Sequence, residues 1–254
     1  MIKVKKRRSI KASIIRHLRE WHRRLGIFAA FFLIFLSISG IALNHTNFLS
    51  LAHQPIKNTW LLEHYGIKPA SKVSFYHQKQ ISVTDHYVWL DTKLLIESAE
   101  PVISVGKFQQ FWLVASRSML SIFTEQGELV DQLDSAMGLP NNIIGLSVEP
   151  NHLLVKTPTG YYQTDNNFFE WQRVTRLIAP KWLKPVDASD QELAVVQLQY
   201  KSQFLHWERV ILDAHSGRLM GDIGVLLMDV VAIMLILLSV SGLYIWIRYA
   251  RAKR

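Results

Sequence analysis

The chain has 254 residues, no cysteine and a formal net charge of +9. The lack of cysteine excludes disulfide bonds, iron–sulfur clusters, thiolate zinc sites and covalent haem attachment. The positive charge is local, since residues 1–24 carry ten Lys and Arg while residues 44–222 carry 15 Lys and Arg against 18 Asp and Glu. A basic segment beside a membrane accounts for this pattern, and we exclude nucleic acid as a partner.

Apolar residues recur at helical spacing near the start of the chain, at Ile10, Ile14, Leu18 and Trp21. This spacing predicts an amphipathic helix within residues 1–24. Its Lys and Arg side chains are expected to face anionic lipid on the cytoplasmic surface of a membrane.

Residues 25–43 read LGIFAAFFLIFLSISGIAL and carry no charge. A helix of this length reaches roughly 28 Å, close to the roughly 30 Å of a bilayer hydrocarbon core. We therefore predict a first transmembrane helix here. No small-x-small cleavage pattern follows the run, so we interpret it as an uncleaved anchor.

A second transmembrane helix is predicted at residues 225–247, with Asp229 as its single charge. The spans share a motif, LIFLSISG at 33–40 and LILLSVSG at 235–242. Copies of opposite topology occur at functional sites of some membrane proteins; we favour the simpler interpretation of a small-residue face for close helix packing. Basic residues beside both spans, including the tail at 248–254, place both termini in the cytoplasm by the positive-inside rule.

The middle of the chain is predicted to be an extracytoplasmic, all-β domain at 71–222, preceded by a connector at 44–70. The fold class is therefore an α+β membrane protein, two transmembrane helices flanking an open β meander or sandwich. A weak repeat aligns Leu113–Ser116 with Leu154–Thr157 and suggests blade-like hairpins, although three blades are too few for a closed propeller.

The predicted strands share period-two alternation and lie between turn signals. They are Val73–Tyr76, Ile81–Thr84, Tyr87–Asp91, Val102–Val105, Phe111–Ala115, Met119–Phe123, Ile143–Val148, Leu153–Thr157, Tyr161–Thr164, Trp171–Val174, Leu193–Gln199 and Trp207–Asp213.

Short motifs at both ends of the chain resemble those of the PepSY-associated transmembrane proteins. The first span of that family reads Leu-His-Arg-x-Leu-Gly, an apolar run, Ser/Thr-Gly and Asn-His. The later span follows His-Ser/Thr-Gly-Arg and ends in Ser-Gly-Leu-x-x-Trp. The matching segments here are Trp21–Gly26, Ser39–Gly40, Asn44–His45, His215–Arg218 and Ser241–Trp246. The stretch Val210–Asp213 also resembles a PepSY strand and its turn, which predicts a PepSY-like final hairpin. The motif resemblance leaves the β-rich middle uncovered.

The resemblance implies a cofactor. Larger relatives include inner-membrane reductases of ferric siderophores with b-type haem between histidines, and shorter two-span relatives assist ferrous iron uptake. It points to non-covalent haem b with His45 and His215 as ligands and His22 as a third candidate. His215 lies ten residues before the second span, so the intervening segment must fold it back toward the membrane. In a symmetric homodimer, His45 of each subunit would share one haem, and His17 or the second subunit's His22 would complete a site at His22.

Other titratable residues have weaker assignments. Asp229 is an intramembrane charge and hence a functional candidate. It would accept a hydrogen bond from a ligand histidine as a supporting residue, or pair with Ser39 or lipid headgroups. Four further histidines are interpreted as surface residues, with a loose metal-collecting patch as the alternative: His53, His64, His77 and His86.

We arrive at two hypotheses. The first is a protein of the bacterial inner membrane that transfers electrons through haem b and reduces ferric iron or a ferric chelate in the periplasm for iron uptake. No flavin, NAD or hydrolase motif occurs in the sequence, so electrons would come from a quinol or a cytoplasmic reductase. The alternative is a non-enzymatic, membrane-anchored periplasmic sensor or partner-binding protein.

Overall fold

A computed structural model describes residues 10–164, 168, 170–175 and 180–252. The chain divides into a helix unit within 1–56 and 205–254, and a β unit within 57–204. The helices of the described residues are α1 (Ile10–Asn44), α2 (Thr59–His64), α3 (Asp190–Ser202), α4 (Trp207–Ser216) and α5 (Gly221–Ala252).

Two of these helices are long and apolar enough to cross a membrane. The segments are Arg16–Asn44 in α1 and Arg218–Arg248, which includes α5, with mean hydropathies of 2.4 and 2.8. Only 11 % and 17 % of their apolar windows are buried, so these are not core helices of a water-soluble domain. The described part of the predicted amphipathic segment, from Ile10 onward, is continuous with the first span. The two spans and the β-rich middle confirm the predicted fold class.

The prediction of a strand and PepSY-like hairpin near residues 207–213 is wrong. This segment is helix α4, in which Arg209 Nε donates to Asp213 Oδ2 at 2.8 Å across one turn. Residues four positions apart are neighbours on one face of a helix. The helix ends at Gly217, which adopts φ +80°, as glycine commonly does after a helical C-terminus. The structure thus assigns residues 205–222 to the helix unit rather than to the β-rich domain.

The strand predicted at Leu193–Gln199 is also wrong, because these residues lie in helix α3. The Ser189 hydroxyl accepts from the Glu192 backbone N–H, and the Glu192 carboxylate accepts from the Ser189 backbone N–H. This reciprocal capping box satisfies backbone donors that would otherwise lack partners at the helix start.

The β unit contains three antiparallel meanders in the described residues, each of four strands paired in sequence order. The strands predicted between 73 and 174 are confirmed, with shifts of up to three residues at their ends, and β4 and β8 were not predicted. The strands are β1 (Val73–Tyr76), β2 (Ile81–Thr84), β3 (Tyr87–Leu90), β4 (Lys93–Glu97), β5 (Ser104–Phe108), β6 (Phe111–Ala115), β7 (Leu120–Phe123), β8 (Leu129–Leu133), β9 (Gly145–Val148), β10 (Leu153–Thr157), β11 (Gly160–Thr164) and β12 (Gln172–Val174).

Two apolar cores join neighbouring sheets. Val88 of the first sheet packs in one core with Val114 of the second, and Leu113 of the second sheet packs in the other core with Val155 of the third. Leu113 and Val114 are consecutive residues of β6, so they point to opposite faces. Both faces of the second sheet are therefore covered, which explains the continuous apolar run of β6. The sequence repeat falls on β6 and β10, the second strands of their sheets.

An extended segment at residues 180–187, here named the strap, crosses the first strand of every sheet. Leu183 N–H donates to Leu146 O of β9 at 2.8 Å, and Ser104 Oγ of β5 donates to Leu183 O at 3.3 Å. Val186 N–H donates to Phe75 O of β1 at 2.7 Å. Three blades cannot close a ring, and the strap instead ties their first strands together with two backbone hydrogen bonds and one from the Ser104 hydroxyl.

Candidate functional site

Two of the nominated histidines lie in matching surroundings within the helix unit. The His215 cluster comprises His215, Ser39 and Gly40, and the His22 cluster comprises His22, Ser241 and Gly242. In each, a histidine from one helix faces the Ser-Gly step of the repeated motif on another. The small-residue face therefore does more than pack two helices, since it provides a hydrogen-bond partner and room for an imidazole.

In the His215 cluster, His215 Nδ1 lies 2.7 Å from Ser39 Oγ. Ser39 is 8 % exposed, and its hydroxyl also lies 2.8 Å from the Phe35 carbonyl oxygen. A Cβ atom on Gly40 would sit 3.7 Å from His215 Cε1, which is ordinary van der Waals contact. The imidazole is thus held edge-on against the helix.

The His22 cluster repeats this arrangement with the histidine on α1 and the serine on α5. His22 Nδ1 lies 2.9 Å from Ser241 Oγ, and that hydroxyl lies 3.1 Å from the Leu238 carbonyl oxygen. A Cβ atom on Gly242 would come within 3.1 Å of His22 Cε1. Only glycine leaves enough room for this ring without a shift of one of the two groups.

The hydrogen-bond network assigns the tautomer of both rings. A serine hydroxyl carries one proton, and a carbonyl oxygen can only accept. Ser39 and Ser241 therefore donate to the carbonyls of Phe35 and Leu238 and accept from the imidazoles. Each imidazole is then protonated at Nδ1, which leaves the Nε2 lone pair for a proton donor or a metal ion.

His45 adopts the same tautomer by a different route. Its Nδ1 lies 3.0 Å from the Ile41 carbonyl oxygen, so Nδ1 must donate and Nε2 keeps its lone pair. The side chain is exposed, and it lies six residues past Ser39, about 9 Å further along the helix axis. That His45 and His215 share one iron stays a prediction.

A glycine turn carries His215 to its position. Gly217 adopts φ +80° between α4 and a short 3-10 helix at Arg218–Met220, and a Cβ there would collide with the Gly224 carbonyl oxygen. Gly224 would collide in turn with the Gly217 carbonyl oxygen. This close backbone crossing folds α4 back beside α1, as the sequence required of the segment between His215 and the second span.

The two clusters lie toward opposite ends of the spans. His22 and Ser39 are both on α1 and are 17 residues apart, which corresponds to about 26 Å along the helix. The described residues bring one imidazole to each cluster, and no three His, Asp or Glu side chains among them could hold a metal ion.

An apolar cavity of about 440 Å³ adjoins the His22 cluster. One wall is α1 and the other is α5. Apart from His22, Ser241 and the two aromatic residues, the lining is aliphatic. The lining residues are Leu18, Trp21, His22, Leu25, Leu237, Leu238, Val240, Ser241 and Tyr244.

The remaining predicted site residue, Asp229, lies on an exposed face of α5. The Nδ1 proton of His215 goes to Ser39, so the supporting oxygen there comes from the repeated motif. Sequence reasoning named the histidines but did not assign Ser39, Ser241 or the adjoining glycines to the site. The available signal was the Ser-x-Ser-Gly repeat itself.

Comparisons with known proteins place these observations in a family. The model of the PepSY-associated TM region matches residues 2–248 and therefore includes the middle of the chain. None of the curated proteins matches the sequence.

Two similar solved structures are a complex of S. cerevisiae Dbp5 with Nup159, Gle1, IP6 and ADP and the N-terminal domain of Nup159. The first is 16 % identical with a TM-score of 0.27 and covers 40 % of this chain. The second is 13 % identical with a TM-score of 0.29 and covers 43 %. The matches span 29 % and 30 % of those chains, and at such scores we draw nothing from them. The family match over residues 2–248, together with the two spans, gives the conclusion that this chain is a membrane protein belonging to the PepSY-associated TM region family.

Proposed function

We propose that this protein transfers electrons across the bacterial inner membrane through haem b and reduces ferric iron or a ferric chelate in the periplasm. The observation that carries the proposal is the pair of imidazoles, His22 and His215, near opposite ends of the two spans. Each is fixed in the tautomer that presents Nε2. That nitrogen is a usual axial ligand of haem iron, and a hydrogen bond at Nδ1 orients such a ligand.

Imidazole is a ligand type that a b-type haem takes. His215 and His45 are the first ligand candidates, and His22 is the third. Haem would supply one-electron redox chemistry. The residues of this chain hold the imidazoles, with Ser39 and Ser241 as oriented acceptors, and the apolar faces of the spans exclude water. Because each cluster holds one imidazole, a homodimer offers the simplest source of a missing second ligand.

The charge distribution supports the proposed orientation. Basic residues crowd both membrane ends of the chain, whereas residues 44–222 are slightly acidic. Under the positive-inside rule, this pattern supports cytoplasmic termini and a periplasmic location of residues 44–222. Electrons would enter from a quinol or a cytoplasmic reductase.

The test is a reduced-minus-oxidised absorption spectrum of the protein purified in detergent from haem-replete cells. We expect a sharp low-spin b-type signal that is lost in His215→Ala and in His45→Ala. The matched control is His53→Ala, which removes an exposed histidine of the same unit. A pure, folded protein without a haem spectrum would overturn the proposal.

A second candidate, a sensor or partner-binding protein, is favoured by a cavity in the β unit. This cavity has a volume of about 320 Å³, and its lining includes Tyr162, Trp171, Asn141 and Asn142. Aromatic faces beside amide groups suit a polar ligand. Function that survives replacement of both spans by an unrelated helix pair would favour this candidate, and loss of function in His45→Ala alone would count against it.

A further inference from the structure

The cavity beside His22 combines an apolar space with the imidazole of His22 in its lining. Its walls come from both spans, so a ligand can reach it from the lipid. The Ser241 hydroxyl already donates to the Leu238 carbonyl, and His22 Nδ1 donates to Ser241. Besides the indole N–H of Trp21 and the hydroxyl of Tyr244, the lining therefore offers a ligand the Nε2 lone pair of His22, which requires a hydrogen-bond donor on the ligand.

The lining restricts the ligand further. Trp21 and Tyr244 offer aromatic surface, and most other lining residues are aliphatic, so a charged or strongly hydrated ligand would lose its hydration without replacement. A lipid acyl chain would fill the space but would leave Nε2 without a donor. A flat, lipid-soluble ring with hydroxyl groups matches the aromatic surface, loses little hydration and supplies the hydrogen-bond donor.

We infer that this cavity binds the ring of a membrane hydroquinone, with one ring hydroxyl donating to Nε2 of His22. The inference rests on the proposed function in one respect, because it makes this molecule the electron donor. It assigns Nε2 of His22 to the hydroquinone rather than to haem, which leaves His215 and His45 as the haem ligands. Oxidation of the hydroquinone to the quinone releases two electrons, which reduce two ferric ions of the substrate. It also releases two protons, which pass to water at the membrane surface.

The experiment measures hydroquinone binding directly. Full-length protein in phosphatidylcholine nanodiscs is equilibrated anaerobically with decylubiquinol, and the bound amount is compared with that in empty nanodiscs. We expect saturable binding of about one molecule per chain. His22→Ala should weaken binding at least tenfold, and Leu237→Trp, which fills the cavity, should abolish it. His53→Ala should bind as the unaltered protein does, and thermal unfolding confirms that each variant is folded.

The haem spectrum of the same samples separates this inference from the proposed function. Loss of hydroquinone binding in His22→Ala with an intact haem signal supports both. Saturable, His22-dependent binding in a protein without haem supports the cavity assignment and overturns the proposed function.

Two further outcomes overturn the inference. The first is loss of both haem and binding in His22→Ala, because His22 would then be a haem ligand. The second is uptake that equals that of empty nanodiscs or that responds to Leu237→Trp but not to His22→Ala, because a lipid chain in the cavity would behave in this way.

Discussion

The two histidine clusters are built from the same parts but differ in how the ring is held. His22 comes from a long helix, faces a glycine with little spare room and borders an open apolar cavity. His215 comes from the short helix α4, is positioned by a glycine turn and faces a glycine with ordinary clearance. The same Ser-Gly step therefore receives an imidazole in two ways, and the cluster next to the cavity is the one suited to an exchangeable ligand.

The largest loss of stability is expected from Gly217→Ala. This change disturbs the glycine turn that positions His215 and does not touch the His22 cluster. An added Cβ collides with a backbone carbonyl and forces a side chain into φ +80°, so we expect a loss of about 2 kcal/mol or more. Thermal unfolding in detergent measures it. The control is Gly66→Ala, where φ is +66° but nothing lies within 4 Å; equal losses in the two variants would contradict the collision.

Removal of the serine acceptors should have an intermediate effect at both clusters. Ser39→Ala and Ser241→Ala each delete one imidazole hydrogen bond, which is worth about 1 kcal/mol. Nitrogen-15 NMR of labelled histidine should show one ring losing its fixed Nδ1–H tautomer in each variant. The Thr variants, which keep the hydroxyl, should restore it. An unchanged tautomer in the Ala variants would show that serine does not set it.

The two glycines should respond differently to alanine. Alanine favours a helix over glycine by about 1 kcal/mol, so Gly40→Ala should be neutral or stabilising in thermal unfolding. Gly242→Ala must move His22, because its Cβ would lie 3.1 Å from the ring, and it should be the less stable of the two. It should also weaken decylubiquinol binding. Equal thermal stability of the two variants would contradict the proposed difference in the space around the two imidazole rings.

The smallest effect is expected outside both clusters and provides a reference for them. A hydrogen bond from Lys79, followed by bonds from Ser189, lowers the pKa of Glu192 from 4.5 to about 2. Between these values the unfolded chain binds more protons, so the β unit should lose stability as the pH falls from about 4.5 toward 2. Urea unfolding followed by circular dichroism should show a weaker acid dependence in Glu192→Gln than in the control Glu63→Gln.

The sequence predicted features that depend on local pattern. Both spans follow from uninterrupted hydropathy, and most strands follow from period-two alternation. The alternation does not predict strand β4, Lys93–Glu97, because β4 is a largely exposed strand at the edge of its sheet. The sequence pattern wrongly predicts strands at helices α3 and α4, because their β-branched residues are typical of strands. The capping pair Ser189 and Glu192 was present in the sequence and would have corrected the first of these errors.

The histidine clusters depend on information that no local window holds. His215 and Ser39 are 176 positions apart, and His22 and Ser241 are 219 apart. The motif repeat identified the Ser-Gly steps, and the family resemblance identified the histidines. Their pairing needed the antiparallel placement of α1 against α5 and the reversal of the chain at Gly217. Neither packing partner can be read from residue type or spacing alone.

The strap also imposes an order on biosynthesis. Each meander can form from neighbouring strands as the chain is synthesised, but the hydrogen bonds that join the first strands require Leu183 and Val186. The β unit therefore lacks these hydrogen bonds until residues 180–187 have been synthesised, although its apolar cores can already join neighbouring sheets. Its edges are open to chaperones or to aggregation during that interval. A ribosome-stalling series ending before and after the strap would detect this step as a late gain in protease resistance.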